Sequence, residues 1–257
     1  MQQTLEQTMT TTDNLSPALI ESYRTQGFVR IPGIISKDEA REYGARALEV
    51  AEKMRDLSAG SKVFTQLVNA WREDETMKRL TLHPNVAAVA TRLAGVPLRL
   101  WHDQILIKQP HNNVATEFHQ DQPYWPHQNS ANPISAWIAL CDVPVERGCM
   151  TFIPGSFRRT DLEMQNLNDA GSLFSLCPEL AWEPRVTVPL QAGDCTFHHG
   201  RCAHMATSNF TDDPRIAHVV IFMDEAVQFA GRPHVVTDAL KLDIGAPLDN
   251  ELFPRVG

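Results

Sequence analysis

Two stretches of the sequence contain side chains that could bind a divalent metal ion. The first is Phe118-His119-Gln120-Asp121, which contains a His-x-Asp pair. In an extended segment, residues i and i+2 point to the same face, so this imidazole and this carboxylate would converge on one point. The pair alone is a weak signal, because about one such pair is expected by chance in a chain of this composition. The alternative is a surface loop with a solvated aspartate.

The second stretch, residues 192–204, could supply a third ligand from a distant strand. It contains His198, His199 and His204, and each of them could instead be a packed core histidine. Two imidazoles and one carboxylate leave three coordination positions open, which is the usual frame for O₂-activating iron(II). A closed zinc site would need four protein ligands. The residues alone leave open which histidine completes the set.

Helices are predicted in the first part of the chain, ahead of both stretches. Ser16 followed by Pro17 is a helix start, and Ser36 can cap a second helix. Apolar residues recur at helical spacing in a third zone. The predicted helical segments are residues 17–27, 37–57 and 69–95.

Short strands are predicted after Gly95, where Pro, Gly, Asn and Asp separate apolar or alternating runs. One short strand, residues 28–32, precedes them. The others are residues 98–101, 104–108, 134–141, 150–153, 186–190, 195–198 and 216–223. Residues 155–185 have weak periodicity and are predicted to form a long excursion with some helix, the kind of segment that often covers a binding site.

The order of these elements favours a mainly β fold, a barrel or jelly roll with a helical flank, over an alternating βαβ sheet. A length of 257 residues fits one large β domain. We expect residues 1–15 to be a disordered tail and residues 16–257 to form a single domain. Its helical flank would span about 16–95, and its jelly-roll core about 96–225.

Composition and charge argue against several classes of partner. The formal net charge is −8 and no run of Lys or Arg stands out, so neither nucleic acid nor an anionic membrane is expected. The N-terminus has no apolar signal-peptide region, and no apolar run is long enough to span a bilayer. The five cysteines include no CxxC pair and are expected to be reduced thiols. These features predict a cytoplasmic protein.

A set of short motifs, spread over roughly residues 20–225, resembles the phytanoyl-CoA dioxygenase family of iron(II) and 2-oxoglutarate oxygenases. The matching pieces keep the family's order, and together they are quite specific. They are Lys108-x-Pro110, His119-Gln120-Asp121, Trp137-Ile138-Ala139-Leu140-x-Asp142, Gly148 to Ser156, Gly193-Asp194, His199-Gly200-x-x-x-His204, and Asn209 to Arg215. The resemblance implies a double-stranded β-helix (a cupin-like jelly roll) with flanking N-terminal α-helices.

The resemblance also assigns roles to individual residues. It implies that His119, Asp121 and His204 are the iron ligands and that Arg215 binds 2-oxoglutarate. An arginine can grip a carboxylate through two charge-assisted hydrogen bonds. Without the other motifs, Arg215 would be taken for a surface charge beside Asp212 and Asp213.

Three further residues could contact 2-oxoglutarate. Lys108 and Trp137 match positions that the family often uses near this co-substrate, and Thr116 could donate a hydroxyl. The sequence departs from the family pattern at Ala206, where a Ser or Thr is frequent. The missing hydrogen bond could come from Thr207 or Thr116.

The substrate-binding residues are less defined. Tyr124, Trp125 and His127 follow the His-x-Asp pair and could line a substrate cleft, or they could form a packed aromatic corner. His102 could face the pocket or the core, and the pair Arg158-Arg159 could bind an anionic group or form a solvated turn. The remaining histidines, His83, His111, His218 and His234, are expected to be structural.

The predicted function is an Fe(II)-, 2-oxoglutarate- and O₂-dependent dioxygenase. It would hydroxylate an unactivated C–H bond of a small organic molecule, such as a natural-product or catabolic intermediate or an acyl-CoA, and release succinate and CO₂. Asp121 fills the position that related halogenases leave free for chloride, which argues against halogenation. Desaturation, cyclisation and epimerisation stay open, as do a non-catalytic metal-binding or 2-oxoglutarate-binding module and a cupin-like enzyme that needs no 2-oxoglutarate. The sequence does not indicate the substrate or the oligomeric state.

Overall fold

The structure, a computed structural model, describes residues 10–54, 59–60 and 63–257. Its N-terminal part is helical for the reasons that the sequence suggests. The Ser16 hydroxyl accepts a hydrogen bond from the Leu19 amide, and Gly27 ends the first helix in the left-handed region at φ 84°. A reciprocal capping box between Ser36 and Glu39 starts the second helix. The helices are α1 (Pro17–Gln26), α2 (Lys37–Lys53), α3 (Ala70–Glu73), α4 (Glu75–Thr81), α5 (Pro84–Ala94) and α6 (Ser172–Leu176).

Two of the predicted helical segments differ in detail from the structure. The predicted end of the second helix near Leu57 lies outside the described residues. The zone 69–95 is three helices, because Asp74 adopts an extended backbone and caps α4 with its carboxylate. The third of these helices starts at Pro84, as expected for a proline at the first helical position.

The remaining elements are mainly strands, all paired in antiparallel fashion. They are β1 (Phe28–Ile31), β2 (Ala59–Gly60), β3 (Thr65–Val68), β4 (Leu98–Lys108), β5 (Thr116–His119), β6 (His127–Gln128), β7 (Ile134–Ala139), β8 (Met150–Phe152), β9 (Val186–Val188), β10 (Cys195–His199), β11 (His204–Ala206), β12 (Arg215–Asp224), β13 (Gln228–Phe229) and β14 (Arg255–Val256). The major sheet has the order β1-β10-β7-β12-β4-β3-β2, with β14 also paired to β4. The minor sheet has the order β5-β11-β8-β9, and β13 pairs with β6.

Both faces of the major sheet are covered. Along β12, Val220 and Phe222 belong to a core cluster shared with the N-terminal helices, whereas Val219 and Ile221 belong to a second cluster shared with the minor sheet. A strand covered on both faces has a continuous apolar run instead of an alternating pattern. This explains why the sequence marked residues 216–223 clearly as a strand.

The predicted strands at 98–101 and 104–108 are one strand, β4. The polar pair His102-Asp103 looks like a break in the sequence, but both residues are buried and the strand pairs with β12 along its whole length. Several short strands were not predicted, among them β5 and β11. Strands of three or four residues carry too little local pattern, and their pairing partners lie far away in the sequence.

Residues near the first and last described positions also pack against the rest of the domain. Residues 1–9 of the expected disordered tail lie outside the described residues, whereas the Thr10 amide donates to the Gly33 carbonyl. Past residue 225, Leu248 and Phe253 are fully buried in the second core cluster. All five cysteines are free. Among the helices of the described residues, none has the length and apolar character that crossing a bilayer requires.

Candidate active site

The two predicted stretches meet in the minor sheet. His119 ends β5, His204 begins β11, and the two residues are direct cross-strand partners. The Asp121 Oδ1 atom lies 3.4 Å from His119 Nε2 and 3.7 Å from His204 Nε2. These three atoms lie within 4.8 Å of one another, close enough to hold a single metal ion.

The convergence of His119 and Asp121 has a different local cause from the predicted one. Asp121 is not extended: its backbone, at φ −74° and ψ −42°, leads into a short 3₁₀ turn over Gln122–Tyr124. The carboxylate is therefore brought back toward His119 by a turn after the strand. The prediction that the two side chains meet is right, but the extended geometry behind it is wrong.

The protonation of both imidazoles suits metal binding. Nδ1 of His119 donates to the Glu117 carbonyl at 2.7 Å, and Nδ1 of His204 donates to the Cys202 carbonyl at 2.9 Å. Because Nδ1 carries the proton in each ring, the Nε2 lone pair points to the shared centre. Metal-binding histidines commonly have this type of outer hydrogen bond.

The second oxygen of Asp121 has its own partners on the major sheet. Oδ2 lies 3.3 Å from His198 Nε2 and accepts a long hydrogen bond of 3.4 Å from the Ser135 hydroxyl. His198 and Ser135 are cross-strand neighbours in β10 and β7. His198 was one of three candidates for the third metal ligand, and in the structure it lies beside the Asp121 carboxylate. His199 faces away, with its Nε2 atom 3.0 Å from the Ala131 carbonyl.

The charges at this centre follow from burial and proximity. Burial lowers the pKa of His204 to about 3, which keeps the imidazole neutral and available as a ligand. Burial alone would raise the pKa of Asp121, but the neighbouring His204, His119 and His198 outweigh it and hold that pKa well below its usual value. Two imidazoles and one carboxylate suit iron(II) in an open facial site.

Arg215 is a buried cation beside this centre. It is 1% exposed, and its guanidinium lies 5.2 Å from the centroid of the Trp137 ring. Nη1 donates to the Leu106 carbonyl at 3.3 Å, and no carboxylate of a described residue lies within ion-pairing distance. Burial lowers the pKa of Arg215 to about 10, so the side chain is still charged at neutral pH. A buried guanidinium without a carboxylate partner suits the far carboxylate of 2-oxoglutarate.

Of the other residues predicted to bind 2-oxoglutarate, two line the cavity and one does not. Trp137 and Thr116 line the same cavity as Arg215. Lys108 does not line it: the residue pairs with Arg215 across β4 and β12, but its Nζ donates to the Val114 carbonyl at 3.1 Å and the Thr207 carbonyl at 2.8 Å. Burial, followed by the charge of Arg215, lowers the pKa of Lys108 to about 7.

A threonine lies across the sheet from Ala206, the position where the sequence departs from the family pattern. Ala206 and Thr116 are cross-strand partners in β11 and β5. The Thr207 hydroxyl instead donates to the Val145 carbonyl at 3.0 Å. Of the two threonines that could replace the missing hydroxyl, Thr116 is therefore the one in the cavity wall.

His119, Asp121, His204 and Arg215 open on one cavity of about 720 Å³ between the two sheets. Tyr124 and Trp125 line it, as expected for substrate contacts. His127 does not; it is buried behind the wall, with its ring centroid 4.4 Å from that of Trp101. Met164 and Leu167 of the long excursion also line the cavity, so this segment forms part of its wall.

Several polar residues in the cavity wall were not predicted to contribute to the site. They are Gln66, Asn69, Glu73, Gln104 and His234, and with them lies His102, whose orientation the sequence left open. The alternation of His102, Gln104 and Leu106 along β4 was a usable signal, because alternate residues of a strand share one face. Arg158 and Arg159 lie outside the cavity wall. Arg158 donates to the Thr25 carbonyl, and Arg159 forms an ion pair with Glu179.

Comparison with known proteins agrees with this geometry. The family described as phytanoyl-CoA dioxygenase (PhyH) matches residues 23–217. The mouse (Mus musculus) phytanoyl-CoA dioxygenase domain-containing protein 1 is 29% identical over 158 residues, which are 60% of this chain and 54% of that protein. The chain thus spans about half the length of this curated relative.

Two solved structures are similar over almost the whole chain. The non-haem α-ketoglutarate-dependent carbocyclase SnoK from nogalamycin biosynthesis is 39% identical, with a TM-score of 0.88, over 97% of this chain and 100% of that one. The epimerase SnoN, crystallised with Fe³⁺, α-ketoglutarate and nogalamycin RO, is 39% identical, with a TM-score of 0.83, over 93% of this chain and 97% of that one.

Proposed function

The chain belongs to the phytanoyl-CoA dioxygenase family of non-haem iron and 2-oxoglutarate oxygenases, and we propose that it oxidises a C–H bond of a bulky small molecule with Fe(II), 2-oxoglutarate and O₂. The observation that carries this proposal is the convergence of His119, Asp121 and His204 within 4.8 Å, on the wall of a cavity that also contains Arg215. Two imidazoles and one carboxylate leave the open positions that this chemistry needs.

Each residue has a defined task in this proposal. His119 Nε2, Asp121 Oδ1 and His204 Nε2 hold the iron, and the backbone carbonyls of Glu117 and Cys202 fix the two rings. When bound, iron would supply the oxidising chemistry, in which O₂ and 2-oxoglutarate are consumed and succinate and CO₂ are formed. The protein's own contribution is to position the groups and to exclude water.

Arg215 binds the far carboxylate of 2-oxoglutarate, and Trp137 packs against the guanidinium. Thr116 supplies the hydroxyl that the family often has at the position of Ala206. Lys108 acts indirectly, by holding the Val114 and Thr207 carbonyls next to this end of the cavity. Tyr124 and Trp125 contact substrate, whereas His127 supports the wall from behind.

The outcome of the oxidation has two candidates. Hydroxylation is the usual result after hydrogen is removed from a C–H bond at such a site. Ring closure or epimerisation is the second candidate, and the similarity to a carbocyclase and an epimerase at 39% identity favours it. Product mass separates them, because hydroxylation adds one oxygen, ring closure removes two hydrogens and epimerisation leaves the mass unchanged.

The substrate in this proposal is a bulky natural-product intermediate. The cavity of about 720 Å³ lies within the range of sites that enclose whole drug-sized ligands. The structurally similar SnoN was crystallised with nogalamycin RO, which supports a natural-product substrate for this chain as well.

The proposal extends to the architecture. Between β4 and β12 the chain passes repeatedly from the major sheet to the minor sheet and back. In this proposal the two antiparallel sheets form a double-stranded β-helix within one oxygenase domain spanning residues 16–257. A cytoplasmic location is part of the same proposal.

The decisive experiment measures O₂ uptake and succinate release by the purified protein with Fe(II), with and without 2-oxoglutarate. We expect both signals only when 2-oxoglutarate is present, and a rise when a suitable multi-ring substrate is added. Binding of 2-oxoglutarate without succinate release would identify a non-catalytic module. O₂ uptake that does not need 2-oxoglutarate would identify a cupin-like enzyme of another class.

A further inference from the structure

The cavity has a second polar region on the major sheet, away from the metal-ligand residues. We call it the imidazole end and define it by His102 and His234, which both line the cavity. The register across the sheet runs from His198 through Ser135 and Ile221 to His102. With about 4.8 Å between neighbouring strands, the imidazole end lies at most about 14 Å from His198. A ligand of several fused rings can span that distance.

His102, in the cavity wall, has a hydrogen-bond acceptor without a protein partner among the described residues. Its Nδ1 donates to the Asp103 carbonyl at 3.1 Å, so the proton of the neutral ring is on Nδ1 and the lone pair is on Nε2. Nε2 is buried and has no hydrogen-bond partner among the residues that the structure describes. Burial, followed by the nearby His234, lowers the pKa of His102 to about 3 and keeps the ring neutral. A buried acceptor of this kind is costly unless a ligand satisfies it.

His234 presents the opposite polarity. Its Nδ1 accepts a hydrogen bond from the Val236 amide at 3.2 Å, so the proton of the neutral ring is on Nε2. Burial lowers the pKa of His234 to about 4. The ring centroids of His234 and His102 are 5.7 Å apart. An acceptor and a donor at this spacing match a group that both donates and accepts a hydrogen bond.

The imidazole end is held by its neighbours. The Asp103 carbonyl that orients His102 also accepts from the Asn69 amide at 3.1 Å. The Asp103 carboxylate, on the other face of the sheet, accepts from the Trp71 amide at 2.9 Å and the Thr81 hydroxyl at 2.8 Å. Such support holds a binding group in place before the ligand arrives.

The charge of the cavity limits the ligand class. Among its described lining residues, Glu73, Asp121 and Arg215 carry formal charges at neutral pH. Arg215 is assigned to 2-oxoglutarate, so no cation is left for the phosphates of an acyl-CoA. The aromatic rings of Tyr124 and Trp125 suit a flat carbocycle instead.

We infer that the imidazole end is a hydroxyl-recognition subsite for a neutral, ring-based substrate. The substrate hydroxyl donates to His102 Nε2, and its oxygen accepts from His234 Nε2. This inference rests on the proposed function, because it names the class of substrate that the oxygenase cavity takes.

The test compares two probes, 2-hydroxyanthraquinone and its methyl ether 2-methoxyanthraquinone, with the anaerobic protein loaded with Fe(II) and 2-oxoglutarate. Binding is followed by quenching of tryptophan fluorescence, since Trp125 and Trp137 line the cavity. We expect the hydroxyl probe to bind roughly tenfold more tightly, which is about what one buried hydrogen bond provides. Decanoyl-CoA should not compete with it.

Three variants make the assignment specific. His102→Phe keeps a ring of similar size and should remove the preference by weakening only the hydroxyl probe. His234→Phe should weaken both probes alike, because each has an oxygen that can accept. His111→Phe is the matched control, since His111 is a surface residue that pairs with Asp212. Circular dichroism checks that each variant folds. If His102→Phe does not fold, the equal weakening of both probes in His234→Phe still tests the inference.

Equal affinity for the two probes, no binding of either, a preference that survives in His102→Phe, or competition by decanoyl-CoA would each overturn the inference. Repeating the titration without iron and 2-oxoglutarate separates it from the proposed function. The hydroxyl preference belongs to the cavity and should persist there, whereas failure of the proposed function appears as absent succinate release.

Discussion

The two faces of the major sheet treat buried polar residues in different ways. His102 and Asp103 are consecutive in β4 and therefore point to opposite faces. On the outer face, the Thr81 hydroxyl lies 2.8 Å from both Asp103 Oδ2 and His218 Nε2, which joins helix α4 to the sheet. Each face has buried atoms without a protein partner among the described residues, such as Asp103 Oδ1 on the outer face and His102 Nε2 on the inner face. The difference is that the inner residues His102 and Arg215 line the cavity, whereas Asp103 and His218 do not.

The largest effect should come from Asp121, whose carboxylate contacts His198 on the inner face. Asp121→Ala removes a proposed iron ligand, and we expect Fe(II) affinity and succinate release to fall by more than about 100-fold, because loss of outer-shell partners alone costs up to about that much. Thermal unfolding should be almost unchanged. Asp212→Ala, at an exposed aspartate, is the matched control. Normal turnover by Asp121→Ala would contradict the ligand assignment.

Arg215→Met should separate ligand binding from stability. Losing two charge-assisted hydrogen bonds should weaken 2-oxoglutarate binding by about 100-fold, measured as its KM in the succinate assay. The melting temperature should stay the same or rise, because the variant removes a buried charge that has no carboxylate partner among the described residues. A large loss of stability with little change in KM would assign Arg215 to the fold.

His198→Phe tests whether the outer partner of a ligand belongs to the functional face. His198 Nε2 lies 3.3 Å from Asp121 Oδ2 and can fix the orientation of this carboxylate. We expect Fe(II) affinity to fall by about tenfold, as for other outer-shell partners, with a smaller loss in Ser135→Ala. Unchanged metal affinity in His198→Phe would show that the contact is only packing.

The role of the outer face can be tested through the effect of Asp103 on the pH dependence of stability. Burial raises its pKa to about 7 in the folded protein, against about 3.9 in an unfolded chain. The folded state thus keeps a proton that the unfolded state releases, so the contribution of Asp103 to the free energy of unfolding should fall as pH rises between about 4 and about 7, by at most about 1.4 kcal/mol per pH unit.

In urea unfolding at several pH values within that window, the wild type should lose stability relative to Asp103→Asn as pH rises. Burial lowers the pKa of the facing His218 to about 3, below its value in an unfolded chain, so His218 contributes an opposite slope, which is common to both proteins and cancels in their difference. Arg72 stays charged throughout the window. The same slope in both proteins would mean that Asp103 is not the titrating group.

Much of the fold could be predicted because its signals are local. Ser16 with Pro17, the helix cap at Ser36 and the apolar run of β12 were all correctly located, and the family resemblance is confirmed by a match over residues 23–217. Strands β5 and β11 were missed because three or four residues carry no usable period. The continuity of β4 was missed because the pair His102-Asp103 is polar. Both residues belong to a buried strand only because the sheet is covered on both of its faces.

By itself, the sequence determined the types of ligand, the order of the motifs and the caps of the first two helices, because these depend on neighbouring residues. Only the tertiary structure decided that Asp121 reaches the centre through a turn, that His198 contacts its second oxygen, and that Lys108 is occupied by backbone carbonyls. These features depend on which strands become neighbours and in which register. A shift of one residue in a β ladder would turn every side chain to the opposite face.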